Sequence, residues 1–142
     1  MNVALLDQLD DPQADWLKGG IWDLASELSR RGLTPRVIRF QAGQLGVLTM
    51  PRGGAIGDLV GFHPDLPPDS PAMRETLTEY LGRVAFRHEL AVLHTFDERL
   101  IPLLKATRKK THFQLLGPSD DPRGAPEERA RILAERYLRP AP

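Results

Sequence analysis

The 142-residue chain contains no cysteine. Disulfides, thiolate zinc sites and a cysteine nucleophile are therefore excluded. Net charge is absent too, because 19 Lys+Arg balance 19 Asp+Glu. Such a chain exerts no long-range pull on nucleic acid or anionic lipid, so nucleic acid is a disfavoured partner. Zero charge also does little to oppose self-association, which leaves a homo-oligomer open. Aromatics make up only 6% of the residues. No aromatic platform accompanies Arg108-Lys109-Lys110, which reads as the basic end of a helix rather than a nucleic-acid patch. No apolar run is long enough to cross a bilayer, and the N-terminal MNVALLDQLDD lacks a basic n-region. The expectation is a soluble, cytoplasmic protein with no membrane partner.

Proline (13) and glycine (12) are plentiful and punctuate the chain. Hydrophobic content of 41% and charged content of 27% are ordinary for a globular protein. The length fits a single α/β domain spanning 1–142 with a core of its own.

Asn2–Leu6 (NVALL), Ile21–Gly32 and Arg36–Phe40 (RVIRF) read as strand, helix, strand. Asp11-Pro12 is a helix-start signal, and Leu17, Ile21, Leu24 and Leu28 recur at helical spacing. The helix begins either at Gly20 or at Pro12 with Gly19-Gly20 inside it. Arg30-Arg31-Gly32 is a basic last turn followed by a C-cap glycine. Leu45–Met50 and Ala55–Phe62 flank Pro51-Arg52-Gly53-Gly54, which is hairpin chemistry. His63 through Pro68 is a loop. Ser70-Pro71 opens a helix whose stripe is Met73, Leu77, Tyr80, Leu81 and Val84. Leu90–Thr95 is a strand. Thr95 and Glu98 form a capping box for a helix to about Lys109, kinked at Pro102. Thr111–Leu116 is the last strand, and Pro126 opens a helix packing through Ala130, Leu133 and Tyr137. The predicted architecture is a three-layer α/β domain. It has a mostly parallel, mixed sheet of about five or six strands, helices on both faces and one β-hairpin.

Ligand crevices of such sheets lie at the strand carboxyl ends. His94, Asp7 and Asp97 are the candidate acid, base or orienting groups there. Gly19, Gly20 and Thr95 are the candidate ligand-binding residues, the glycines by close amide approach to a phosphate or sugar. Each has a plainer role: His94 as a buried core histidine, Thr95 as a cap, Gly19-Gly20 as a kink. Arg52-Gly53-Gly54-Ala55-Ile56-Gly57 has no Lys-Ser/Thr pair and no following helix, so hairpin glycines explain it better than a phosphate loop. The histidines His63, His88, His94 and His112 make no metal-ligand spacing, and no metal or cofactor is expected. Trp16 and Trp22 are interface candidates, with core packing the commoner role for Trp22.

Val3–Leu6, Gly19-Gly20, Leu28-Ser29-Arg30-Arg31-Gly32 and Arg36–Phe40 together resemble the start of the N-terminal Rossmann-like domain of GT-B glycosyltransferases. Ala91–Asp97 is similar to that family's hydrophobic strand ending in His-x-His, with Phe96 in place of the second histidine. The resemblance implies an acceptor-side loop at Gly19-Gly20 and His94 at the cleft. A lone half of this kind is not expected to transfer sugars. The expected role is a non-catalytic binding or self-assembling module. The alternative is a small enzyme, or a glycosyltransferase-like half domain, that binds a phosphorylated or glycosyl ligand.

Overall fold

The computed structural model describes residues 1–7, 20–42, 46–62, 70–108 and 112–139. Six strands form one mixed sheet in the order β3-β4-β2-β1-β5-β6. They are β1 (Asn2–Leu6), β2 (Thr34–Ala42), β3 (Gly46–Arg52), β4 (Ala55–Phe62), β5 (Val92–Thr95) and β6 (Gln114–Leu116). All neighbouring pairs are parallel except β3–β4.

Apolar residues on both faces of β1 explain its central place. Val3, Ala4, Leu5 and Leu6 are all fully buried. Ala4 and Leu6 pack with helices α2 (Pro71–Arg87) and α3 (Ile101–Arg108), while Val3 and Leu5 pack with α1 (Gly20–Arg30) and α4 (Pro126–Leu138). A strand that is apolar on both faces needs a layer on each side, and the helices supply it. Truncating a buried leucine such as Leu5 to alanine costs ~2–5 kcal/mol.

The described part of helix α1 begins at Gly20, and the alternative start at Asp11-Pro12 lies outside the described residues, as do Trp16, Leu17 and Gly19. The helix ends in a Schellman motif. Gly32 (φ 86) donates to the Ser29 carbonyl, and Leu33 donates back to Leu28. Ser70 caps α2 by accepting from the Met73 amide, and Met73, Leu77, Leu81 and Val84 are buried as expected.

Two local expectations are corrected. Thr95 does not cap the next helix. Asp97 does so by accepting from the Arg99 amide, and a 3₁₀ turn at Glu98–Leu100 precedes α3. Pro102 therefore falls in the first turn of α3, where a missing N–H is harmless, so no kink is required. The last two strands are also shorter than expected, starting at Val92 and Gln114, and Thr111 lies outside the described residues.

The hairpin forms between β3 and β4 around Gly53-Gly54, both at positive φ (57 and 84) as a type I′ turn requires. A side chain at either glycine would run into Ser26 or Ser29 of α1. Strand β4 inserts beside β2 in parallel, which leaves β3 at the sheet edge. This places Arg52–Gly57 at the amino edge, away from the strand carboxyl ends.

Asp58 of β4 is 2% exposed and accepts from four groups. Arg36 Nε and NH2 donate at 2.7 and 3.1 Å, Thr49 Oγ1 at 2.8 Å and Tyr80 OH at 3.2 Å. The network ties β2, β3, β4 and α2 together, and burial followed by Asp58 pushes the Tyr80 phenol up from its usual range. Asp58→Ala would leave the largely buried Arg36 without its carboxylate. Chemical denaturation should show a loss of ~3–5 kcal/mol, against ~1 kcal/mol for Thr49→Val, which removes one hydrogen bond. Equal losses would contradict the central place of Asp58.

Candidate functional site

The parallel strands direct their carboxyl ends to one edge. There the chain leaves β1 toward β2 on one side, while β5 lies on the other. This is a topological switch point, where α/β sheets open a crevice. Backbone hydrogen bonds close its base: Asp7 N–H donates to the Ile38 carbonyl and Phe96 N–H to the Leu6 carbonyl, both at 2.9 Å.

Asp7 projects from the end of β1. Its carboxylate lies 3.6 Å from the guanidinium of Arg39, which stands on β2 one residue beyond the partner of Leu6. The Arg39 side chain is 4% exposed and that of Asp7 22%. A desolvated guanidinium beside a partly exposed carboxylate is a polar pair set into apolar walls. Strand alternation places both on the α1 and α4 side of the sheet, together with Val3, Leu5 and Val37.

A layered stack forms the β5 side of the crevice. Arg129 sits over the Phe96 ring, 5.9 Å from its centroid, within cation–π reach. Phe96 stacks on His94 with centroids 4.5 Å apart, and His94 meets Tyr137 edge-on at 5.9 Å. Arg129 forks onto Asp121 at 3.0 and 3.1 Å. Arg136 holds Asp120, and Asp120 accepts from the Gly117 amide. The loop after β6 is thus fastened to α4.

His94 is fully buried. Its Nε2 lies 2.9 Å from the Gly117 carbonyl, and its Nδ1 lies 2.7 Å from the Tyr137 hydroxyl. A carbonyl can only accept, so Nε2 carries the proton and Nδ1 accepts from tyrosine. The ring is neutral with both nitrogens engaged. Burial pushes its pKa down, opposed by the Gly117 hydrogen bond and by Asp120 and Asp121.

The other sequence candidates fall as follows. Thr95 is buried, and its hydroxyl donates to the Asp97 carbonyl and accepts from the Asp97 amide. Asp97 is buried and receives the Arg99 amide and guanidinium. Both therefore serve the turn into α3. Gly20 is exposed at the start of α1, with open space where a side chain would be, and Gly19 lies outside the described residues. Trp22 is buried in the core. Asp7 is the candidate that the fold leaves partly exposed at the strand carboxyl ends. Arg39 and Arg129 escaped the sequence reading, while Phe96 and Tyr137 were read there only as a family departure and a packing residue. The one available signal was Arg39 within the apolar run RVIRF, since charge in a central strand needs a partner.

Among the described residues, concavities stand away from the carboxyl edge. One, of about 690 Å³, lies beside Met1, Gln114 and Tyr137. Another is a groove of about 840 Å³ between the outer surfaces of α2 and α3. A third is a pocket of about 280 Å³ at the amino edge near Arg36 and His88. The amino-edge pocket gathers Asn2, Thr34, Arg36 and His88, but at the amino ends of the strands. The carboxyl edge is the better candidate because open α/β sheets take their ligands there. No three His, Asp or Glu side chains converge as a metal would need, among the described residues. No helix among them is long and apolar enough to cross a membrane.

No family model and no curated protein matches the chain. Solved structures do. One, described as trehalose-6-phosphate from E. coli bound with UDP-2-fluoro glucose, superposes with a TM-score of 0.55 at 9% identity, over 82% of this chain and 32% of that one. Another, a glycosyltransferase from Rickettsia africae ESF-5, gives 0.48 at 12% identity over 82% and 29%. This chain spans about a third of the length of either. The first likeness shows the fold, a Rossmann-like α/β domain, in keeping with the resemblance of the first forty residues.

His94 yields a pH prediction. An unfolded histidine titrates near 6.5, and burial holds folded His94 below that. Its contribution is therefore complete above pH 6.5 and is lost as pH falls through 6.5 toward the folded value. His94→Ala should cost ~2–4 kcal/mol at neutral pH. It should also flatten the acid limb of stability against pH, leaving the part due to His88, which is lowered too. An unchanged acid limb in denaturation curves would contradict the neutral, buried ring.

Proposed function

We propose that this protein binds a phosphorylated, hydroxyl-rich small molecule of the sugar-phosphate or nucleotide-sugar class, without turning it over. The ligand lies in the crevice at the carboxyl ends of β1, β2 and β5. The observation that carries this reading is the Asp7–Arg39 pair at that edge. The partly exposed Asp7 carboxylate accepts from sugar hydroxyls, and the buried Arg39 guanidinium fixes it in place and lends positive charge to the edge. Helix α1 runs from that edge, and a helix amino end directed there favours an anion. The fold likeness to a structure holding UDP-2-fluoro glucose supports the ligand class. Against turnover stands His94, whose ring nitrogens are committed to Gly117 and Tyr137 and are not offered to a substrate. A cytoplasmic location suits such a ligand.

Thermal denaturation with glucose 6-phosphate, UDP-glucose and plain glucose tests the proposal. A ligand at about a hundred times its Kd adds ~2.7 kcal/mol, so Tm should rise by several degrees with a phosphorylated compound and hardly move with glucose. Asp7→Asn and Arg39→Lys, each compared with its own unliganded Tm, should lose most of that rise. If none of the compounds shifts the wild-type Tm, the proposal fails.

A further inference from the structure

Edge strands are ordinarily blunted by charge, cover or brevity. Strand β3 has little of this. It runs seven residues, and Gly46 through Pro51 carry no charge. It is bare on both faces: Val47 is 53% exposed on one and Leu48 55% on the other. Among the described residues no strand lies beyond it.

The hairpin register says which backbone groups point outward. Arg52 and Ala55 flank the two-residue turn and form a hydrogen-bonded pair, so Met50–Gly57 and Leu48–Leu59 do as well. Val47, Thr49 and Pro51 are then the residues whose backbone groups face away from β4. Pro51 has no N–H to offer, and it stands where a donor would have pointed outward. The outer edge thus presents the amides of Val47 and Thr49 and the carbonyls of Val47, Thr49 and Pro51.

We infer that β3 pairs with β3 of a second copy of this chain. The two strands run antiparallel about a two-fold axis at Thr49, and the sheet becomes continuous across the dimer. In this register the whole strand overlaps. Each Thr49 amide donates to the partner copy's Thr49 carbonyl, and each Val47 amide donates to the Pro51 carbonyl across the axis. Two outward amides per copy make four hydrogen bonds, and none of those amides is left over. Pro51 supplies only the carbonyl that Val47 requires, so its missing N–H removes no donor that the dimer needs. On the α1 side, exposed Leu48 lies opposite half-buried Met50 of the other copy. On the α2 side, Val47 lies opposite Pro51 and Thr49 opposite Thr49, a favourable cross-strand pair. One patch holds both halves of every contact, as a two-fold interface demands. Zero net charge leaves no long-range repulsion against it.

Light scattering coupled to size exclusion at micromolar concentration should give twice the chain mass. Val47→Pro removes an outward amide and no β3–β4 hydrogen bond. Leu48→Lys places a charge on the bare face. Each should halve the mass while the circular dichroism spectrum and the monomer fold remain. Phe86→Ser, at an exposed phenylalanine on α2, should leave the dimer intact. A wild-type monomer would overturn the inference. So would a dimer that survives both β3 variants, or one that dissociates on Phe86→Ser.

Discussion

The burial of β1 on both faces is the constraint from which the rest follows. Four consecutive side chains with no exposure cannot be served by a two-layer fold. They need helices on each side and a parallel neighbour at each edge, β2 and β5. With β1 central, the chain must leave it toward β2 and later return on the far side at β5. That reversal is where sheets of this kind take ligands, and Asp7 stands at it. The candidate site is therefore a consequence of which strand is most apolar.

Charges in the interior strands show how the same sheet serves two ends. Arg36 and Arg39 stand on opposite faces of β2. Arg36 meets Asp58 in a saturated network that fastens the hairpin to α2. Arg39 meets Asp7 at 3.6 Å, a looser pair at the carboxyl edge. The first arrangement has its acceptor fully committed within the protein. The second keeps a carboxylate partly exposed at the place where α/β domains take ligands. The stack of Arg129, Phe96, His94 and Tyr137 gives that edge a rigid wall, with the neutral histidine as a structural bridge from β5 to α4 and the loop after β6.

Much of the architecture was legible in the residues. NVALL marked a central strand, Gly32 a helix end, Ser70-Pro71 a helix start and Gly53-Gly54 a hairpin, because each has a local physical cause. The insertion of β4 between β3 and β2 was not legible, since it depends on long-range pairing that leaves no local mark. The start of α3 was misplaced for a related reason: Thr95 and Asp97 both suit a cap, and only the strand end decides between them. The position of Asp7, just beyond the end of β1, was legible from the sequence. Arg39 was not, because its role depends on a register between β1 and β2 that no single segment encodes. His94 stood out by type, yet its environment comes from Tyr137 and Gly117, distant in sequence.

The central claim is that the β1–β2–β5 carboxyl edge is where this protein meets its ligand. Amide chemical-shift mapping during titration with glucose 6-phosphate, with UDP-glucose as the second probe, tests it most directly. A binding crevice there predicts that the largest changes fall on Asp7, Gly20, Arg39 and Phe96, with smaller ones along Gly117–Asp121. Changes confined to the amino-edge pocket at Arg36, Arg87 and His88, or none at all, would contradict it.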